Sequence, residues 1–288
     1  MRNYVIFTDS ACDLNPSLLT EWGVRCIPLT FNFNGENGVY SNYDMEPKAF
    51  YDKMRAGGVA KTSAINTEVF MSNFKPALDE GLDIIYLGFS SGLSTTFNCS
   101  RMAKDSLSSE YPDAKIEVID TLAASAGQGL LVRLAVDKKN SGANMEELSA
   151  YVKEIVPNIC HWFSVDDLVY LKRGGRISAA AAFFGNVIGI KPVLHVDDDG
   201  HLINVMKIRG RKGAIQGMAA KYDEFAENKS DGIVYISQAD CLADAESLAS
   251  ILKEKHGVSV ELITDIGPVI GAHAGPGTLA LFFVGSKR

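Results

Sequence analysis

The segment Tyr4-Val5-Ile6-Phe7-Thr8-Asp9-Ser10 joins a short apolar run directly to three polar residues. Such a run predicts a strand buried on both faces, and the polar residues predict a loop at its carboxyl end. Similar runs recur at Val24–Phe33, Ile84–Phe89 and Ile116–Ile119. Because helical patterns separate these runs, the sequence predicts a largely parallel sheet whose functional loops follow its strands. The helical patterns are Pro16–Trp22, Pro47–Met54, Thr67–Leu78, Leu93–Met102 and Leu122–Lys138.

The second half of the chain has a different pattern. Val193–Val196 and Leu202–Ile208 flank Asp197-Asp198-Asp199-Gly200, a turn signal that predicts an antiparallel hairpin. The elements expected after it are helices at Lys212–Asn228 and Leu242–His256 and strands at Ile233–Ser237, Val258–Ile263 and Thr278–Val284. We therefore expect an α/β protein of two domains. Residues 1–157 form an N-terminal three-layer α/β domain with a mostly parallel sheet, and residues 158–288 form a smaller C-terminal α+β domain with a mixed sheet.

Composition excludes several classes of protein. Of the 288 residues, 47% are hydrophobic and 22% are charged, so the chain can bury a core and is not disordered. A net charge of -7 argues against binding nucleic acid, because an acidic surface repels phosphates. The five cysteines are scattered, with no CxxC pair, so we expect reduced thiols, no metal site and no cofactor.

The sequence also predicts a cytoplasmic location. The apolar run near the N-terminus is too short for the core of a secretory signal. The longest apolar stretch, Ile177–Ile190, is shorter than the roughly 20 residues that cross a bilayer, so we expect no membrane span.

Ser90 lies in Gly88-Phe89-Ser90-Ser91-Gly92, which matches the G-x-S-x-G nucleophile elbow between a predicted strand and a predicted helix. One interpretation is a serine esterase or acyltransferase, with His273 as base and Asp240 or Asp265 as the orienting acid. A second is that the hydroxyls of this segment only cap a helix. A third is an anion site, because hydroxyls at a helix N-terminus bind a carboxylate or a phosphate. A small-molecule kinase is disfavoured, since no phosphate-binding G-x-x-x-x-G-K-[ST] loop is present.

Two further groups of polar residues are candidates for ligand binding. Thr62 and Ser63 lie in a predicted loop and add hydroxyl donors, and an ordinary polar loop ahead of the next helix is the alternative. His273 lies in a glycine-rich stretch from Gly267 to Gly277, where small neighbours allow a ligand to approach. A structural role for this histidine is the alternative.

Two basic clusters stand out in the acidic chain. The first contains Lys172, Arg173 and Arg176, and the second contains Lys207, Arg209, Arg211 and Lys212. They suit a phosphate-bearing ligand or an acidic partner surface, and a solvated surface is the alternative.

Six short motifs follow one another along the chain. They are Thr8–Leu14, Thr62-Ser63, Ser90–Ser94, Leu171–Ile177, Gly189–Leu194 and Gly267–Gly277. Together they resemble the DegV family of bacterial fatty-acid-binding proteins across nearly the whole chain. The sequence departs from the family pattern at Ala64-Ile65, where Gln-Pro is usual, and at Thr95, where Gly is usual.

The resemblance implies a protein that is not itself an enzyme and that holds a long-chain fatty acid in a tunnel between its domains. It implies that Thr62 and Ser94 bind the carboxylate, with Ser63 and His273 nearby. We expect these groups to form a cradle without Lys or Arg. Some family members present the acid to a separate ATP-dependent fatty acid kinase, which makes the acyl phosphate for phospholipid synthesis. The residues expected to face this partner are Arg173, Arg209 and Arg211.

Overall fold

A computed structural model gives the fold and describes residues 2–178 and 189–288, so most of the apolar stretch near residue 180 lies outside the described residues. The strands are β1 Tyr4–Asp9, β2 Val24–Ile27, β3 Thr30–Phe33, β4 Tyr40–Ser41, β5 Ala60–Ser63, β6 Asp83–Gly88, β7 Ile116–Asp120, β8 Ile159–Ser164, β9 Ile190–Val196, β10 Leu202–Arg209, β11 Val234–Gln238, β12 Leu262–Asp265 and β13 Leu279–Val284. The helices are α1 Pro16–Glu21, α2 Pro47–Arg55, α3 Thr67–Asp79, α4 Thr96–Glu110, α5 Ala126–Asn140, α6 Met145–Ile155, α7 Val169–Arg173, α8 Gly210–Phe225, α9 Leu242–His256 and α10 Pro268–Ala274. Short 3-10 helices cover Ser10–Cys12 and Val156–Asn158.

The first sheet is parallel throughout, in the order β2-β1-β6-β7. Successive side chains of β1 enter two different cores: Ile6 packs on the side of α5, whereas Val5 and Phe7 pack on the side of α3. This alternation follows from the two-residue period of a strand and gives three layers. The predicted N-terminal three-layer domain with a mostly parallel sheet is confirmed.

The predicted strand Val24–Phe33 is wrong as one element. Pro28 interrupts it, because proline lacks the N–H that a ladder requires. β2 stays in the parallel sheet, whereas β3 pairs antiparallel with β4 and β5 in a separate three-stranded sheet. Thr62 and Ser63 therefore lie at the end of β5 and not in a loop.

The C-terminal domain contains a six-stranded mixed sheet in the order β10-β9-β8-β13-β11-β12. Its strand pairs are antiparallel except for the parallel pair of β11 with β12. The predicted hairpin is present, with the N–H of Asp197 donating to His201 at 2.9 Å across the turn. The expected mixed sheet of the smaller domain is confirmed.

Helix α5 joins the two domains. Its small and aliphatic residues are buried, and it contacts β6 of the parallel sheet and β8, β11 and β13 of the mixed sheet. This accounts for the run of small residues in its sequence, because a helix between two sheets has little space on either side. The helix begins at Ala126, since residues 121–125 form a turn after β7.

Other helix ends also differ from the sequence pattern. Helix α4 begins at Thr96 rather than at Leu93, because residues 89–95 form turns. His273 lies in α10 and not in a glycine-rich loop. Among the described residues, no helix is long and apolar enough to cross a membrane.

Candidate functional site

A cavity of about 560 Å³ lies beyond the carboxyl ends of the parallel strands, against one face of the mixed sheet. This volume lies within the range of sites for small molecules, roughly 300 to 1,000 Å³. Residues of both domains line it. The lining residues used below are Thr62, Ser63, Ser94, Ser125, His161, Phe163, Arg176, His273, Thr278, Ala280 and Phe282.

The cavity extends along strand β13. Thr278, Ala280 and Phe282 all line it, because alternate residues of a strand share one face. The hydroxyl of Thr278 donates to the carbonyl of Ala274 at 2.9 Å, which places this end beside α10. Four residues along a strand span about 13 Å, so Phe282 marks the inner end at that distance from Thr278. There Phe282 lies opposite His161 in register, and their rings pack edge to face.

The outer end of the cavity is polar. Thr62 and His273 share a hydrogen bond of 2.8 Å between Oγ1 and Nε2. Burial lowers the pKa of His273 to about 4, and the positive charge of Arg176 acts in the same direction, so the ring is neutral at physiological pH. Among the described residues, the Nδ1 atom of His273 has no hydrogen-bond partner. The ring therefore has one buried polar atom whose hydrogen-bonding capacity is unused.

Ser94 and β5 are connected through Thr96. The Ser94 hydroxyl accepts the N–H of Thr96 at 3.2 Å and shares a bond of 2.9 Å with the Thr96 hydroxyl. Thr96 Oγ1 also accepts the backbone N–H of Ile65 at 3.3 Å. A proline at position 65 has no N–H, so this departure from the family pattern adds a bond between the two donor segments. When Thr96 donates to Ser94, the hydrogen of Ser94 is left to bind a ligand.

Arg176 also lines the cavity, which corrects the expected cradle without Lys or Arg. Its Nε donates to the carbonyl of Leu93 at 3.0 Å and a terminal nitrogen donates to the carbonyl of Gly174 at 2.5 Å. Burial lowers the pKa of this guanidinium. The sequence placed Arg176 in a basic cluster but gave no sign that it turns inward while its neighbour Arg173 stays exposed.

Ser90 does not form the expected triad with His273. Its hydroxyl is fully buried and donates to the carbonyl of Gly200 at 2.9 Å, while His273 bonds to Thr62. The two candidate acids are also engaged elsewhere: Asp240 forms an ion pair with Arg55, and Asp265 accepts from Gln238 at 2.5 Å. This hydrogen bond therefore connects the turn that contains Ser90 to the hairpin of the C-terminal domain.

Asp9 and Asp13, the acidic residues of the Thr8–Leu14 motif, hold loops in place through hydrogen bonds. Asp9 accepts hydrogen bonds from the hydroxyl of Tyr86 at 2.5 Å and the N–H of Phe89 at 3.0 Å. Asp13 accepts from the Ser125 hydroxyl at 2.5 Å and the N–H of Gly267 at 2.9 Å. Sequence reasoning left both carboxyl groups without a role. Asp9 also caps the 3-10 helix Ser10–Cys12 by accepting the N–H of Ala11 at 3.0 Å. The four partners named above lie 77 to 254 residues away, so no local pattern reveals them.

The three arginines expected to face a partner differ in their surroundings. Arg173 is exposed and packs over the ring of Tyr170, with 5.5 Å from its guanidinium carbon to the ring centroid. Arg209 is also exposed. Arg211 is half-buried and its Nε donates to Asp244 at 2.9 Å, so it ties α8 to α9 instead of standing free.

The described residues contain no group of three or more His, Cys, Asp or Glu side chains placed to hold a metal ion. The fold and the cavity define a two-domain α/β protein with a concave, largely apolar site that has hydroxyl, imidazole and guanidinium groups at one end. Such a site suits an elongated apolar molecule with an acidic head group.

Comparison with known proteins identifies the family of this chain. The family model described as an uncharacterised protein of the DegV family matches residues 3–286. A DegV domain-containing protein of Clostridium perfringens is 42% identical over 290 residues, covering 100% of this chain and 99% of that protein. The chain belongs to the DegV family.

Solved structures agree with this assignment. A fatty-acid-binding DegV family protein of Thermus thermophilus is similar with a TM-score of 0.88 and 30% identity, covering 99% of this chain and 100% of that one. A Thermotoga maritima protein whose structure reveals fatty acid binding has a TM-score of 0.85 and 30% identity, with coverage of 99% and 100%.

Proposed function

We propose that this protein binds a long-chain fatty acid in the cavity between its domains, which we divide at residues 157 and 158. The carboxylate contacts Thr62, Ser63, Ser94 and His273, and the tail extends towards Phe282. The observation that carries the proposal is the polarity of the cavity, which has donors at one end and apolar walls along β13. The fatty acids bound by the similar Thermus and Thermotoga proteins support the same ligand class.

The energetics of a buried acyl chain are consistent with tight binding. Each buried methylene contributes about 0.8 kcal/mol, so a tail of about 14 methylenes gains roughly 11 kcal/mol before the costs of association. Association removes several kcal/mol of this gain. A buried carboxylate requires hydrogen bonds, and the hydroxyls and Arg176 provide donors at the outer end.

The second part of the proposal is that the protein acts in the cytoplasm without catalysing the kinase reaction. It presents the carboxylate to a separate ATP-dependent fatty acid kinase, which forms the acyl phosphate for phospholipid synthesis. The exposed cations Arg173 and Arg209 support a docking surface for such a partner. We leave Arg211 out of this surface, because its guanidinium is bonded to Asp244.

Ser94→Ala tests the head-group site. Removing one donor from a bound carboxylate is expected to weaken binding of palmitic acid by about 1 to 3 kcal/mol. Isothermal titration of delipidated protein measures this, with Ser106→Ala as the control, because Ser106 is an exposed serine of α4 that donates to Met102. Unchanged affinity in Ser94→Ala would reject the head-group site, and protein that carries and binds no fatty acid would reject the function.

Charge reversal tests the docking surface. Arg173→Glu and Arg209→Glu are expected to leave palmitate affinity unchanged and to lower acyl phosphate formation about tenfold with a fatty acid kinase of the host, because rim charges mainly set association rates. The control is Arg101→Glu, an exposed arginine of α4 outside both basic clusters. Equal turnover by all variants would contradict docking through these residues.

A further inference from the structure

Ser125 lies in the turn between β7 and α5, within Ala123-Ala124-Ser125-Ala126-Gly127. Its backbone has φ 54° and ψ −149°, close to a region that residues other than glycine rarely occupy. β7 ends at Asp120, and residues 121–124 connect it to Ser125, which directly precedes α5. A serine with a strained backbone immediately before a helix shares these two features with a nucleophile elbow. The sequence differs from G-x-S-x-G only in having Ala123 at the first position.

The Ser125 hydroxyl has a carboxyl partner. Its Oγ lies 2.5 Å from Asp13 Oδ2 and 2.9 Å from the hydroxyl of Ser237. The other Asp13 oxygen accepts the N–H of Gly267 at 2.9 Å, which fixes the carboxyl plane. A hydroxyl within hydrogen-bond reach of an oriented base is the arrangement that activates a serine nucleophile.

The pair borders the cavity part of the way along it. Ser125 lines the cavity, and its partner Ser237 lies opposite Ala280 in the mixed sheet. Ala280 is two residues inside Thr278, about 7 Å along the strand. An acyl carbonyl at this level leaves the inner half of the cavity for a chain of medium length and the outer half for a leaving group.

The backbone N–H of Ala126 is the candidate donor for a developing oxyanion. The N–H of the residue after the nucleophile supplies this donor in elbow-type sites. Among the described residues, the N–H of Ala126 has no acceptor. His161 is not available as a base here, because its Nδ1 donates to Ile159 and its Nε2 accepts the N–H of Ala124.

We propose that Ser125 and Asp13 form a serine–carboxylate dyad that hydrolyses medium-chain acyl esters bound in this cavity. The proton of Ser125 passes to Asp13 while Oγ bonds to the carbonyl carbon. The bond from that carbon to the alcohol oxygen breaks, and the alcohol takes the proton from Asp13. Water then gives a proton to Asp13 and attacks the acyl carbon, Ser125 regains a proton as the bond to Oγ breaks, and the free acid is released.

The activity follows the ionisation of Asp13. Burial raises the pKa of this carboxyl to about 8, hydrogen bonds from Ser125 and Gly267 oppose the rise, and the charge of Asp265 adds to it. The titratable groups around it are Asp9, Asp265, Tyr43 and Tyr51. Since the dyad needs the ionised base, turnover is expected to rise with pH and to reach half its maximum near pH 8.

Two probes test the dyad on the full-length protein. A fluorophosphonate is expected to label Ser125, as located by peptide mass mapping, and p-nitrophenyl octanoate is expected to be hydrolysed. Ser125→Gly, which also relieves the strained backbone, and Asp13→Asn should each lower hydrolysis at least about 100-fold. Ser90→Ala tests the literal motif and should leave the label on Ser125.

The outcomes separate this proposal from fatty acid binding. Label at Ser125 together with loss of hydrolysis in Ser125→Gly supports the dyad. Label at Ser90, or neither label nor hydrolysis in wild-type protein that is folded by circular dichroism, overturns it. Palmitate titration of the same preparations reports on fatty acid binding independently, so one function can fail while the other holds.

Discussion

Two serine turns at the carboxyl edge of the parallel sheet differ in almost every respect except position. The Ser90 turn, residues 88–92, matches G-x-S-x-G literally, whereas the Ser125 turn, residues 123–127, does not. Ser90 has no positive φ and donates to a backbone carbonyl. Ser125 has φ 54°, lines the cavity and bonds to a carboxyl group.

The difference shows that distant partners decide what a serine can do. The carbonyl of Gly200, 110 residues from Ser90, accepts a hydrogen bond but cannot take the proton. The carboxyl group of Asp13, 112 residues from Ser125, can take it. The exact motif match therefore marks a structural turn, and the inexact one carries the geometry of a nucleophile.

The largest expected effect is a dependence of the free energy of unfolding on pH. It arises from Asp13, the carboxyl partner of Ser125. Burial raises the pKa of Asp13 from 3.8 to about 8, so the folded protein holds a proton that the unfolded chain loses near pH 4. This contribution to stability is complete below pH 4 and is lost as the pH rises through about 8, by at most about 1.4 kcal/mol per pH unit.

Asp13→Asn cannot titrate and should remove that dependence. Urea unfolding between pH 5 and pH 9.5 measures the free energy of unfolding of wild type minus that of the variant. This difference should fall as the pH rises and level off about one pH unit above the pKa of about 8. Parallel curves for the two proteins would show that Asp13 is already ionised in the folded state.

Gly127→Ala is the next test, again in the Ser125 turn. A Cβ atom there would lie 2.2 Å from His161 Nε2 and 2.8 Å from Phe282 Cδ1. Overpacking between two buried rings is expected to lower the free energy of unfolding by about 3 kcal/mol and to weaken palmitate binding at the inner end. Chemical denaturation measures the first effect and titration the second. The double variant Gly127→Ala/His161→Ala should recover part of the loss, and no recovery would contradict the clash.

Gly200→Ala tests the Ser90 turn and should have the smallest effect. Its Cβ would lie 2.2 Å from Ser90 Oγ, and the residue has φ +78°. We expect a loss of about 2 kcal/mol, since the Ser90 side chain can rotate away at the cost of one hydrogen bond. Gly142→Ala is the matched control, because Gly142 has φ +96° with no atom within 4 Å of the added Cβ, and it should lose only about 1 kcal/mol of backbone strain. Equal losses in thermal denaturation would show that the contact to Ser90 is unimportant.

Much of the fold follows from local patterns. Apolar runs separated by amphipathic helices define the parallel sheet, and the Asp-rich turn at 197–200 defines the hairpin of β9 and β10. The small third sheet was missed, because β4 is two residues long and β5 has a polar sequence. Pro28 carried the signal for the break between β2 and β3.

The candidate site was only partly predictable. Thr62, Ser63, Ser94 and His273 do line one cavity, whereas the inward turn of Arg176 and the pairing of Arg211 with Asp244 could not be read from their basic clusters. Long side chains turn towards partners that other segments supply, and these lie up to 83 residues away for Arg176. Ser125 carried no signal beyond an imperfect motif.

The sequence by itself determined the layered α/β architecture and the polar residues that follow its strands, because hydrophobic period and turn chemistry act over a few residues. The tertiary structure alone decided which serine meets a carboxyl group, which arginine enters the cavity and which end of that cavity is polar. Those outcomes depend on contacts between the two domains. The contacts form only when helix α5 packs between both sheets, because burial and hydrogen bonding between distant segments then contribute their free energies.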